Sequence, residues 1–339
     1  MSVNKRGLTR KDYTGSKSTL CSGCGHDSIT NNIVSALFLA SVNPYKVAKM
    51  SGIGCSSKTP NYFLSKSAGF NSIHGRMAPI STGVAVANQG LQILGVSGDG
   101  DSASIGLGGM AHLMRRNVPM TYIVENNGVY GLTKGQFSAT ADKGSTLKSG
   151  EANPLDTVDL CSFAIEMGCT FVARSFSGDA KQLVPLIQAA MKHNGTAFID
   201  VISPCVTFAN HEGSTKSYDA VRENLVQLQE LGIILEKEAH SVDYDEGATQ
   251  TVTMSDGSVL TLKKLDSRDH DVKNKLDAIN VLHKANDSGE ILTGLFYTDD
   301  KKSTMVEELN LVEQPLKDLT AKDCRPPESA LKEALEMFK

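Results

Sequence analysis

Two apolar runs, Leu91 to Val96 and Val118 to Val124, each end in a short polar turn. The first turn is Ser97-Gly98-Asp99-Gly100-Asp101-Ser102 and the second is Glu125-Asn126-Asn127-Gly128-Val129-Tyr130. Continuous apolar runs of this length read as strands buried on both faces of a parallel sheet. Parallel neighbours need a crossover, and Ala103 to Arg116 reads as one, with Leu107, Met110, Ala111 and Met114 along one helical face. The pair predicts a βαβ unit in an open, mostly parallel α/β sheet with helices on both faces. In such sheets ligands bind at the strand carboxyl ends, where both turns fall. A glycine turn opening a helix offers backbone N–H groups and a helix dipole to a phosphate. Asp99 stands in the middle of this one, where its carboxylate repels a diphosphate unless a cation lies between them. Oxygen ligands favour Mg²⁺ or Ca²⁺. The expectation is a metal-bridged diphosphate site with Asp99 and Asn127 as side-chain ligands.

The same alternation continues on both sides. Residues 1–20 read as an extended arm, and Cys21-Ser22-Gly23-Cys24-Gly25-His26 leads into a helix over Asp27 to Val42, with Asp27 as N-cap. Val47 to Ile53 reads as a strand ending in Gly52-Ile53-Gly54-Cys55-Ser56-Ser57. A dinucleotide fingerprint wants glycine at position 57, so that reading is set aside. Ser72-Ile73-His74-Gly75-Arg76 precedes a helix near Pro79 to Asn88. Gly128 to Gly150 is too long and glycine-rich for a mere connector and reads as an active-site loop. Leu155–Met167 (helix), Thr170–Ala173 (strand), Ala180–Lys192 (helix) and Ala197–Ile202 (strand) complete a body of residues 1–235. Residues 236–339 form a more charged C-terminal extension that packs on the body or on a partner. In it Tyr244 to Asp269 reads as a hairpin around Ser255-Asp256-Gly257-Ser258, and Val272 to Ala285 as a helix.

A net charge of −4 argues against a nucleic-acid surface. The longest apolar stretch, Ile33 to Val42, is too short to span a bilayer, and the polar N-terminus is no secretory signal. These features place the chain in the cytoplasm with its seven cysteines reduced. Cys21 and Cys24 form a C-x-x-C pair, while Cys55 and Cys205 sit in Gly/Ser/Pro loops at strand ends. Four thiolates on one sheet edge suit a tetrahedral zinc or a cubane cluster equally on spacing alone. Cys161 and Cys169 flank apolar sequence and read as core, as His26 reads as packed and His112 as solvated.

Taken together, these segments resemble the β subunit of 2-oxoacid:ferredoxin oxidoreductases. The matching stretches are Leu20–His26, Gly52–Ser57, His74–Arg76, Gly98–Asp101, Asn126–Gln136 and Ser203–Phe208, in the family's order. The resemblance implies a thiamine diphosphate-binding fold, with Mg²⁺ held by Asp99, Asn127 and the Val129 carbonyl. It puts the cofactor against Gly54, Cys55, Ser56, His74, Gly98, Gly100, Asp101, Gly131 and Leu132. It also implies one [4Fe–4S] cluster on Cys21, Cys24, Cys55 and Cys205. Many members have proline at the position of Ser22, and arginine at that of Lys58, where lysine offers a point charge instead of a fork.

The activity implied is coenzyme A-dependent oxidative decarboxylation of a 2-oxoacid, with electrons passed through the cluster to ferredoxin, or the reverse carboxylation. His211 to Tyr218 resembles members that favour 2-oxoglutarate, for which Lys58 and Lys134 are the candidate carboxylate partners. A pyruvate-type member is the alternative substrate reading. The chain has one sheet's worth of α/β pattern, so the resemblance assigns the pyrimidine-binding domain to a separate α subunit in an (αβ)₂ assembly. Two competing readings remain at this level: a non-redox thiamine decarboxylase subunit with structural zinc, and a nucleotide-binding module without chemistry. The Asp99–Asn127 pair argues against the second, because it makes sense around a metal.

Overall fold

The computed structural model describes residues 3–234, 249–253, 259–264 and 270–338. Its first strands are β1 (Val47–Ser51), β2 (Ala68–Asn71), β3 (Gln92–Gly98) and β4 (Met120–Asn126). A small hairpin follows, β5 (Val129–Tyr130) with β6 (Gln136–Phe137), then β7 (Phe171–Phe176), β8 (Thr196–Ile202) and β9 (Leu225–Gln227). Next come β10 (Gln229–Ile234), β11 (Thr249–Thr253), β12 (Val259–Lys264) and β13 (Ile291–Thr298). The helices that cover the sheet are α1 (Gly25–Leu39), α2 (Met77–Ala87), α3 (Leu107–Arg115), α4 (Leu160–Glu166) and α5 (Ala180–Lys192). They are followed by α6 (Tyr218–Asn224) and α7 (Lys275–Ser288).

The main sheet runs β2-β1-β3-β4-β8-β7-β13-β9. Its members from β2 to β7 pair in parallel, and β13 pairs antiparallel with β7. Every residue of β4 and β8 is buried, as strands covered on both faces require. One apolar layer joins α1 and α5 to the sheet through Ile29, Ile33, Leu37, Leu183 and Leu186. The opposite layer joins α2, α3, α4 and α7 through Met77, Met110, Leu113, Ile165 and Leu282. The chain steps outward from β1 to β2 and then returns to lay β3 on β1's other side. That reversal opens a crevice at the carboxyl ends of β1 and β3.

Several elements differ from the sequence reading, for local reasons. The crossover opens with a π-helical turn, Gly100–Ile105, before α3 begins at Leu107. The first helix starts at Gly25 with Cys24 at its N-cap, not Asp27. The helix expected from Leu155 starts at Leu160, because the Asp159 carboxylate accepts from Ser162 N at 2.6 Å and caps it there. The helix expected over Val272 to Ala285 starts at Lys275, capped by Asn274. The N-terminal arm is tied down: Tyr13 is fully buried and its hydroxyl donates to Val42 O at 2.6 Å. The C-terminal extension contributes β13 to the main sheet itself, between β7 and β9. The predicted hairpin strands appear as the antiparallel pair β11–β12, joined by β10, while its turn lies outside the described residues. No helix among the described residues is long and apolar enough to cross a membrane.

His193 closes α5, with Nε2 2.7 Å from Thr170 Oγ1 and its ring against Phe171. Burial pushes its imidazole down to about 4. The unfolded chain takes up a proton near pH 6.5 that the folded chain refuses until about pH 4, so stability falls with pH across that window. The loss is about 2 kcal/mol once solvent screening at this partly exposed ring is allowed for. His193→Gln is expected to remove that share of the slope in urea-denaturation midpoints measured from pH 7 to 4. An unchanged slope would contradict it.

Candidate active site

The register decides what meets at the crevice. Gly98 of β3 lies opposite Glu125 of β4, and Asn126 of β4 opposite Ile202 of β8. The turns that leave these strands are therefore side by side. Asp99 is buried; its Oδ1 accepts from Asn127 N at 3.3 Å, and its Oδ2 accepts from Thr140 Oγ1 at 2.7 Å and from Ser138 Oγ. Asn127 Oδ1 in turn accepts from Val129 N at 3.0 Å, a turn that needs Gly128 at φ 75°. Burial pushes the Asp99 carboxyl up, against the hydrogen bonds and a weaker pull from Lys216. Lys216 itself is committed to Thr140 O and Asp142, both at 2.8 Å. With the Asn127 side chain and the Val129 carbonyl, Asp99 offers an oxygen set that could hold a divalent cation.

Asp101 does different work. Its carboxylate accepts from Gly75 N at 2.8 Å, Ser97 Oγ at 2.9 Å and Ile53 N at 3.3 Å. It thereby ties the loops after β1 and β2 to the turn after β3. The cleft between these loops is lined by Gly54, Cys55, Ser56, His74, Gly98, Asp99, Gly100, Asn127, Val129, Gly131 and Leu132, among others. Tyr130 braces one side, donating from its hydroxyl to Gly100 O at 3.0 Å.

Cys55 lines the same cleft, and the other candidate cysteines lie on neighbouring loops. Cys24 ends the loop before α1, Cys55 follows β1 and Cys205 follows β8. A Cβ placed on Gly131 would stand 3.6 Å from Cys55 Sγ and 3.7 Å from Cys205 Sγ, so the two sulfurs share one small space. Cys21 Sγ accepts from Thr207 Oγ1, two residues past Cys205. The Cys24 thiol is pushed up to about 12, chiefly by burial, with Glu125, Cys205 and Cys55 adding to the effect. Cys55 is raised by burial, then by Cys205. Such thiols ionise when a metal group replaces their protons. Among the described residues, no three His, Cys, Asp or Glu stand close enough to cage a single ion.

Residues 51–201 match the family model described as thiamine pyrophosphate enzyme, C-terminal TPP binding domain. The chain is 41% identical over 199 residues to the 2-oxoacid:ferredoxin oxidoreductase subunit beta of Saccharolobus solfataricus, covering 58% of this chain and 65% of that one. It is 35% identical over 223 residues to the 2-oxoglutarate synthase subunit KorB of Methanocaldococcus jannaschii, 64% of this chain and 82% of that one. The chain belongs to the 2-oxoacid:ferredoxin oxidoreductase β subunits. It spans about two thirds or less of the length of several other curated relatives, among them the Mycobacterium tuberculosis KorB protein, of which it covers 56% at 38% identity. A solved 2-oxoglutarate:ferredoxin oxidoreductase from Magnetococcus marinus, with 2-oxoglutarate, coenzyme A and succinyl-CoA bound, superposes with a TM-score of 0.74. The match has 29% identity and covers 97% of this chain and 96% of that one. The fold is thus the thiamine diphosphate-binding α/β sheet that this subunit family resembles in sequence.

The two lysines singled out from sequence sit on the loops that line the cleft, Lys58 N donating to Cys55 O at 3.1 Å and Lys134 N to Gly131 O at 3.3 Å. Lys58 is half-buried and Lys134 exposed, the latter at φ 81°, and neither lines the cleft. His112 is exposed, and Cys161 and Cys169 are fully buried core residues. His26 is packed, as read, yet it also lines the cleft: its Nδ1 is 2.6 Å from Ser203 Oγ and 3.6 Å from Glu125 Oε2. Sequence reasoning gave Glu125, Ser138 and Thr140 no role. A carboxylate closing an apolar strand run was the available signal for Glu125. Ser138 and Thr140, in a glycine-rich polar loop, had none.

Asp99→Asn is expected to leave the cofactor-free chain at least as stable by calorimetry, since a buried charge without a counterion is removed. The same change is expected to weaken Mg²⁺-dependent thiamine diphosphate binding by ~3 kcal/mol, over a hundredfold in Kd. Titration calorimetry on the assembled enzyme checks this. Unaltered affinity would rule out Asp99 as the metal's anchor.

Proposed function

We propose that this chain is the catalytic β subunit of a 2-oxoglutarate:ferredoxin oxidoreductase, holding the diphosphate end of thiamine diphosphate together with one [4Fe–4S] cluster. The assembled enzyme converts 2-oxoglutarate and coenzyme A to succinyl-CoA and CO₂, passing electrons to ferredoxin, or runs the reverse carboxylation. The observation that carries this reading is the meeting of the Asp99 and Asn127 turns with the Cys55 loop in one cleft, where Cys205 Sγ also stands close to Gly131. The 2-oxoglutarate names of the relatives, and the 2-oxoglutarate bound in the Magnetococcus marinus enzyme, support the choice of substrate.

Thiamine diphosphate, when bound, supplies the sink for the electron pair left when a 2-oxoacid loses CO₂. The residues of this chain bind and orient it. Asp99, Asn127 Oδ1 and the Val129 carbonyl would hold Mg²⁺, with Gly98 and Gly100 letting backbone approach the diphosphate. Ser56, His74, Gly131 and Leu132 line its berth, and Asp101 holds the surrounding loops in register. Cys21, Cys24, Cys55 and Cys205 would hold the cluster within electron-transfer reach. Lys58 and Lys134, each on a loop that lines the cleft, are the candidate partners for the substrate's carboxylates. Lys134 and Gly135 both take positive φ, held there by Lys134 N donating to Gly131 O at 3.3 Å and Gly135 N to Tyr130 O at 2.9 Å. An α subunit brings the pyrimidine-binding domain, two αβ pairs assemble in the cytoplasm, and ferredoxin docks as the acceptor.

Anaerobic co-purification with the α subunit is expected to yield a brown complex with iron and sulfide at one cubane per β chain. It should reduce ferredoxin with 2-oxoglutarate and coenzyme A, and isolated β should turn over nothing. A colourless complex with stoichiometric zinc, or full activity from β alone, would overturn the reading. Lys134→Ala is expected to lower kcat/KM on 2-oxoglutarate by tenfold or more, a loss of ~1.4 kcal/mol, and to spare pyruvate. Equal loss on both substrates would refute its role.

A further inference from the structure

Glu125 is the last residue but one of β4, and its carboxyl is fully buried in the wall of the cleft, between the diphosphate turns and the cysteine loops. Burying a carboxyl is costly unless it is satisfied, and the partners it has chosen are specific. Thr59 Oγ1 lies 3.0 Å from both carboxyl oxygens. His26 Nδ1 lies 3.6 Å from Oε2 and 2.6 Å from Ser203 Oγ. Each partner belongs to a different cysteine loop: Thr59 follows Cys55, His26 follows Cys24, and Ser203 precedes Cys205. Two further bonds tighten the same junction, Gly25 N to Pro204 O at 3.4 Å and Tyr218 Oη to Gly23 O at 3.0 Å. The strand that carries this carboxyl runs directly on into Asn126-Asn127, the second half of the diphosphate site.

We propose that Glu125 is a positioning residue that fastens all three cysteine-bearing loops to the strand holding the diphosphate turn, fixing the shape of the cluster site and its distance from the cofactor. Thr59 is the direct link to Cys55, and the His26–Ser203 pair reaches Cys24 and Cys205 together. Groups that orient metal ligands from behind change metal retention when removed, by about 10- to 100-fold. The proposal rests on the reading that these cysteines hold a [4Fe–4S] cluster.

The test uses the anaerobically purified αβ complex with Glu125→Gln, Glu125→Leu and Thr59→Val. Readouts are iron and sulfide per chain, the EPR spectrum of the reduced cluster, its rate of loss in air, and its reduction potential. Glu125→Gln keeps an acceptor for Thr59 and a polar partner for His26, and is expected to match wild type in iron content and EPR line shape. Glu125→Leu is expected to lose its cluster in air about 10-fold faster or more, with altered g values in what remains. Thr59→Val, which removes only a hydroxyl, is expected to shift the spectrum and the potential in the same direction but less, and keeps the test alive if the leucine variant does not fold. Wild-type spectrum, potential and air stability in both Glu125→Leu and Thr59→Val would overturn the proposal, as would a glutamine variant as damaged as the leucine one. Wild-type complex without iron would overturn the cluster reading instead.

Discussion

A parallel sheet finishes all its strands at one end, and in this protein that end carries nearly everything the site contains. β1 delivers Gly54 to Ser56, β3 delivers Asp99, β4 delivers Asn127, and β8 delivers Cys205. None of these residues is near its partners in sequence. The pairing register brings them together, Gly98 against Glu125 and Asn126 against Ile202, and a one-residue slip would exchange the two faces of a strand and carry its turn out of place. The apolar runs that force burial on both faces therefore also fix the geometry of the polar turns that leave them.

What those turns enclose is an excess of acidic groups with few cations to meet them. Asp99 and Glu125 are both buried at this edge and both are pushed up by burial, as are Cys24 and Cys55. The nearby lysine, Lys216, is spent on Asp142. Arg174, by contrast, sits between Asp159 and Asp200 at 2.5 and 2.9 Å. That network is closed within the chain, whereas the acidic edge is where the proposed Mg²⁺ and cluster would add positive charge. Burial also holds His26 down to about 4, which keeps it a neutral hydrogen-bonding link beside Glu125.

Much of this was legible from residue order alone, because it depends on local pattern. The runs before Gly98 and Asn126 announce buried strands, and Ala180–Lys192 matches α5 residue for residue. What escaped depends on contacts between distant segments. Thr59 lies 66 residues from Glu125, and Ser203 lies 177 from His26, so no spacing rule links them. Ser138 and Thr140 look like ordinary polar loop residues until the loop folds over Asp99. The C-terminal extension looked separable because its composition changes, yet β13 fills a place in the main sheet that only strand order reveals. The late start of the predicted crossover helix has a similar origin: the π-helical turn at Gly100–Ile105 leaves Gly75 and Asp101 in contact, a tertiary demand that overrides helical periodicity.

The central claim is that one sheet edge of this chain holds a metal-anchored diphosphate and an iron–sulfur cluster side by side. The most direct measurement is a crystal structure of the anaerobic αβ complex with thiamine diphosphate, with anomalous scattering recorded at the iron edge. The account predicts one compact iron peak enclosed by Cys21, Cys24, Cys55 and Cys205, with the diphosphate bridged by a cation to Asp99 and Asn127. Iron located elsewhere, a single zinc among the four cysteines, or a diphosphate bound away from Asp99 would contradict it.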